Sequence, residues 1–119
     1  VLSMADVLDL VGDKIVDYLD MDVQSGELPL MRGEGAASLV KQRVRRIQIG
    51  THGSEIHQEI KQLLLGVGMD LVTDLPYNPQ TQRCDSTART GRQTDPSCLT
   101  WTEFGPIYVR DGLLGFSNP

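Results

Sequence analysis

Two short stretches hold the residue types that could do chemistry. Asp22, Gln24 and Glu27 close the acidic run DYLDMDVQSGE, and His52 ends the run IQIGTH. A carboxylate such as Asp22 could accept a substrate proton, hold a donor on a cofactor, or bind a metal; it could equally cap the next helix. Gln24 could orient a ligand or close a turn. Glu27 could sit beside a cofactor or point to solvent at a helix N-terminus, where the dipole favours it. Histidine exchanges a proton near neutral pH, so His52 is a candidate general base; the alternative is a hydrogen bond to its own loop. Asp74 and Asn78 could line the same rim, or serve only the turn DLPYN. His57 is expected to be solvated on a helix, and Asp17 and Asp20 to be structural or exposed.

The elements that must hold these residues follow from periodicity. SMADVLDLVG predicts a short helix, with Ser3 as N-cap and Asp6 completing a capping box. KIVDYLDMDV predicts a strand, apolar on both faces early and polar late. Such a strand is expected to be covered by helices on both sides, with its C-terminal end open to solvent or ligand. Residues 27–42 predict a helix broken at RGEG. VRRIQIGTH predicts the next strand. In SEIHQEIKQLLLGVG, Ile56, Ile60, Leu63, Leu64 and Val67 form an apolar stripe with Ser54 as expected N-cap. MDLVTDL predicts a further strand. An irregular loop is expected over about 75–104, where Cys84 and Cys98 either pair or stay free. GPIYVRDGLLGFSNP predicts a β-hairpin turning at Asp111-Gly112. Helices alternating with strands imply an α/β fold, a mainly parallel sheet with right-handed crossovers and an antiparallel finish.

Composition narrows the classes. At 119 residues the chain suits one domain, 1–119. The net charge of −5 is uneven: eight acids and two bases lie in 1–35, and eight acids and nine bases in 36–119. The one basic run, KQRVRR, lacks interleaved aromatics and is expected to be a solvated approach to a strand, so no nucleic-acid partner is expected. No apolar run approaches the roughly 18 residues needed to cross a bilayer, and no basic n-region marks a signal peptide. Two cysteines do not make a disulfide framework, and no further thiol or paired histidine stands at zinc-site spacing, so no metal site is expected. The compartment stays unassigned. The sequence opens on Val1, so the expectation is that either something was removed upstream or it is a piece of a longer one.

Three stretches in order carry a resemblance. VDYLDMDVQSGE resembles the fourth-strand motif of FkbM-type S-adenosylmethionine-dependent methyltransferases, D-x-x-x-x-D-x-Q-G-x-E. VRRIQIGTHGSEI resembles their fifth strand and the turn I-G-T-H-S-x-E. GPIYVRDGLLGFSNP resembles their closing D-G-x-L-x-x-x-N-P hairpin. Here the motif glycine falls one position late, in Gln24-Ser25-Gly26-Glu27, and Gly53 follows the histidine where serine is usual. The resemblance implies strands four to seven of a Rossmann-like sheet ordered 3-2-1-4-5-7-6. It implies His52 and Asp22 as catalytic residues, and Asp22, Gln24 and Glu27 as neighbours of S-adenosylmethionine. The glycine-rich cofactor turn has no counterpart: RGEGAAS lies between helical pieces rather than after a strand.

The expected function is therefore the C-terminal part of an O-methyltransferase acting on a small-molecule hydroxyl, inactive without its cofactor half. The alternative is a methyltransferase-like structural subunit without catalysis. In either case another polypeptide is expected to cover the open strand near Ile15–Val23, because an unpaired strand edge recruits a partner.

Overall fold

The computed structural model describes residues 2–23, 26–77, 100–103, 105–107 and 111–119. Gln24, Asn78, Cys84 and Cys98 lie outside them, and with them the expected cofactor contact of Gln24 and the expected cysteine pairing. The elements in order are α1 (Met4–Asp9), β1 (Val16–Met21), α2 (Glu27–Arg32), α3 (Ala36–Arg43), β2 (Val44–Thr51), α4 (Ser54–Gly66), β3 (Asp70–Leu75), β4 (Thr100–Thr102), β5 (Gly105–Ile107) and β6 (Gly112–Ser117). The α/β alternation expected from the sequence is present.

Local chemistry explains most boundaries. Ser3 Oγ accepts from the Asp6 N–H while Asp6 Oδ2 accepts from the Ser3 N–H at 2.8 Å, the expected capping box. The helical stretch from Glu27 breaks at Gly33–Gly35 and resumes at Ala36, as expected. Ser54 is not the N-cap of α4: the cap is Gly53, Ser54 opens the helix, and no side chain caps it. The first turn instead starts directly from the strand end, with the His57 N–H bonded to the Gly53 carbonyl at 2.9 Å.

Four strands form one sheet in the order β1-β2-β6-β3. β1 and β2 are parallel, while β6 runs antiparallel to both β2 and β3. So β1, β2 and β3 share one direction, but only one of the three pairings is parallel. The expected C-terminal hairpin is not the arrangement found. β5 pairs with β4 in a separate two-stranded sheet, and β6 inserts between β2 and β3. The reason is burial: Leu114 and Phe116 in β6 align with Ile49 and Ile47 and become core, which a two-stranded ribbon could not provide. β4 also falls inside the stretch expected to be irregular.

Helices cover one face of the sheet. Met21, Ile47, Ile49, Leu114 and Phe116 point there, against Leu28, Met31, Val40, Ile60 and Leu64 of α2, α3 and α4. Coverage on both faces was expected and is not found among the described residues. Tyr18, Arg46, Gln48, Val72, Thr73 and Gly115 instead border an open concavity of about 180 Å³, with Tyr18 53% and Val72 67% exposed. No described helix is long and apolar enough to cross a membrane.

Asn118 ties the end of β6 to α3 and β2. Its Nδ2 donates to the Lys41 and Val44 carbonyls, its Oδ1 accepts from Lys41 Nζ at 2.5 Å, and its N–H donates to the Arg45 carbonyl at 2.7 Å. Carbonyls at a helix end lack intrahelical partners, and the amide satisfies them. Asn118→Ala is therefore expected to cost about 2 kcal/mol, from several lost hydrogen bonds to part-buried groups. Urea unfolding reads it; a loss under a few tenths would contradict the tether. Two further cations of the basic run are engaged likewise: Arg43 donates to the Gly12 and Lys14 carbonyls, and Arg45 pairs with exposed Asp17 at 2.9 Å.

Candidate functional site

β1 and β2 are parallel neighbours, so their carboxyl ends open on the same rim. Asp22 follows β1 directly, and His52 follows β2. Glu27 is the first residue of α2, which folds back from β1 over the end of β2. Gly50 lets the two strand ends approach: a Cβ there would stand 3.3 Å from Asp22 Oδ1, tighter than ordinary packing allows.

Glu27 is fully buried, at 0% exposure, which the solvent-facing reading did not expect. Its Oε1 accepts from the Val23 N–H at 3.1 Å and from His52 Nδ1 at 3.0 Å. A carboxylate only accepts, so the proton sits on Nδ1 and the ring is fixed. His52 Nε2 then turns toward Asp22 Oδ1 and Asp111 Oδ2, each 3.5 Å away. The site grades outward: Glu27 is inaccessible, the His52 side chain 18% exposed, and that of Asp22 67%. Three carboxylates thus surround one imidazole. Asp22, Glu27 and His52, the residues singled out from the sequence, come together; His52 bonds to a carboxylate rather than to its own loop. Asp111 joins them, although the sequence marked it only as a turn residue.

A second polar cluster lies beside the first and was missed. His57 is buried at 1% exposure, not solvated. Its Nε2 donates to Asp74 Oδ1 at 2.6 Å, and its Nδ1 is left to accept the Thr51 hydroxyl at 2.7 Å. Lys61 Nζ donates to the other Asp74 oxygen at 2.6 Å. The signal was available: His57 stands three residues before Ile60 and seven before Leu64, on the inward stripe of α4. All its ring nitrogens are satisfied within the fold, so this cluster joins α4 to β2 and β3. Asp74 belongs to it rather than to the rim.

Burial pushes the Asp74 carboxyl up, but hydrogen bonds from Lys61 and then His57 outweigh it and hold the group below its ordinary value. Such a carboxylate contributes its full stabilisation above the ordinary carboxylate pKa of about 3.9 and loses it as pH falls through the lower folded value. Asp74→Asn is expected to cost about 1–2 kcal/mol at pH 7. Denaturant curves at pH 7 and pH 3 test the sign: the gap between variant and wild type should narrow at pH 3. An unchanged gap would contradict it.

Comparison with protein-family models, curated proteins and solved structures returns no match for this chain.

Proposed function

We propose that these 119 residues are the C-terminal half of an S-adenosylmethionine-dependent O-methyltransferase of the FkbM type. The observation that carries this reading is the convergence of Asp22, Glu27 and His52 at the carboxyl ends of two adjacent parallel strands. Ligands of open α/β sheets collect on that rim. The strand order adds support: β1-β2-β6-β3 with β6 reversed corresponds to the 4-5-7-6 portion of the family sheet. So does the bare sheet face at Tyr18 and Val72, because a doubly wound sheet carries helices on both faces. β1 is an edge of the described sheet, and the missing cofactor half would pair along it.

Within this reading, Asp22 and His52 activate the acceptor hydroxyl and Glu27 holds the imidazole ring. The cofactor, when bound, supplies an electrophilic methyl group. The exposed Asp22 carboxylate fits a hydroxyl or ammonium donor of that cofactor, and the glycine-rich turn would come from outside these residues. Alignment of acceptor and methyl then accounts for most of the rate, with proton removal adding to it.

Titration calorimetry tests the division of labour. The 119-residue chain alone is expected to show no S-adenosylmethionine binding at micromolar strength. Combined with the polypeptide carrying the glycine-rich turn, it should bind. Micromolar binding by this chain alone would overturn the half-site claim. No binding with both halves present would overturn the methyltransferase reading and favour a structural subunit.

A further inference from the structure

We infer that Asp22, Glu27 and His52 form a site for one divalent first-row transition-metal ion. The chain brings one ligand atom from each of the three within 4.8 Å of the others. A metal with bonds of about 2.1 Å has neighbouring ligands about 3.0 Å apart in an octahedron and about 3.4 Å apart in a tetrahedron. Reaching those separations from a spread of up to 4.8 Å falls to Asp22, whose side chain is 67% exposed.

The second observation is independent of the clustering. Glu27 Oε2 is buried and has no hydrogen-bond partner among the described residues. Its other oxygen bonds His52 Nδ1, so the same carboxyl group belongs to the cluster. A buried carboxylate oxygen without a partner costs on the order of a few kcal/mol, which a bound cation would offset. Charge points the same way. Asp111 adds a third carboxylate 3.5 Å from His52 Nε2, and among the described residues no lysine or arginine pairs with Asp22, Glu27 or Asp111. A protonated imidazole would balance one of the three charges, and a dication balances two.

The donor set selects the metal class. Two carboxylates and an imidazole suit manganese, iron or zinc, because the nitrogen ligand disfavours calcium and magnesium. The open, exposed side at Asp22 leaves coordination positions for water or a substrate oxygen, as in catalytic rather than structural sites. Binding stands on the cluster alone; the role of the ion rests on the methyl-transfer reading. There it would acidify the bound acceptor hydroxyl, whose proton would leave to water, and Asp22 and His52 would activate that hydroxyl through the ion they hold.

The test is titration of the intact chain with Mn²⁺, followed by loss of the free-ion signal in electron paramagnetic resonance, with Zn²⁺ as competitor. One ion per chain should bind, and Zn²⁺ should displace it. Asp22→Asn and Glu27→Gln should each weaken binding at least about tenfold, while Lys61→Met leaves it unchanged. Circular dichroism checks that each variant is folded; because Asp22 is exposed, its variant keeps the test decisive if Glu27→Gln unfolds. No uptake of either metal at millimolar concentration by folded wild type would overturn the inference, as would wild-type affinity in Asp22→Asn. Metal binding without methyl transfer would leave this inference standing and remove the reading above. Methyl transfer insensitive to a chelator would leave the reading above and the binding site standing and remove the ion's role in the transfer.

Discussion

Gly112→Ala is expected to cost about 3 kcal/mol or more, the upper part of the range for overpacked sites. Gly112 opens β6, where the strand inserts between β2 and β3. An added Cβ would overlap Thr51 Oγ1 and stand 2.7 Å from His57 Nδ1 and 2.9 Å from the Tyr77 backbone nitrogen. The hydroxyl could rotate away only by losing its bond to His57, and the other two contacts are held by a buried ring and by backbone. Three neighbours must therefore move together, and the polar link from α4 to β2 breaks with them. Urea denaturation reads the change. A cost below about 1 kcal/mol would mean that β6 does not pack on Thr51 and His57 as described.

Phe116→Ala should be about as damaging, by the opposite mechanism. Phe116 is among the largest fully buried side chains, and it aligns with Ile47 on one side and Leu71 on the other. Deleting a buried phenylalanine ring typically costs about 3–5 kcal/mol, because lost transfer free energy adds to an unfilled cavity. A domain of this size has roughly 5–15 kcal/mol in all, so the variant should be close to unfolding at room temperature. Phe116→Leu, which keeps most of the volume, should recover more than half of the loss. If alanine and leucine melt alike, the site behind β6 is not tightly packed.

Both predictions concern β6, and β6 is where sequence and structure part. Asp111-Gly112 is a strong local turn signal, and a local reading pairs the segments on either side of it. The sheet is decided by non-local burial: Leu114 and Phe116 gain more against Ile49 and Ile47 than against a short neighbour. Elements set by nearby residues were legible. The Ser3–Asp6 box, the break between α2 and α3 and the stripe of α4 each follow from side chains within a few positions. The face left open at Tyr18 and Val72 was not legible, because a strand that is apolar on both sides does not say what covers either.

The site divides in the same way. Asp22, Glu27 and His52 could be named from residue type and from their place after strands. Their meeting point needed the parallel β1–β2 register, which aligns Met21 with Ile49 and so sets Asp22 beside Gly50. The burial of Glu27 was hidden because an acid at the start of a helix ordinarily faces water. His57 was hidden for the converse reason: a polar residue beside Ile56 and Gln58 reads as solvated, and only the helical period shows that it points inward.

The most direct measurement of the central claim is transfer of label from methyl-tritiated S-adenosylmethionine to a panel of small hydroxyl acceptors. It uses this chain together with its cofactor half, as wild type and as His52→Ala. Wild type is expected to transfer label and His52→Ala to turn over at least tenfold more slowly, with cofactor affinity changed less than about twofold; tenfold corresponds to about 1.4 kcal/mol of transition-state stabilisation. Equal turnover in the two proteins, or no transfer by wild type that binds the cofactor, would contradict it.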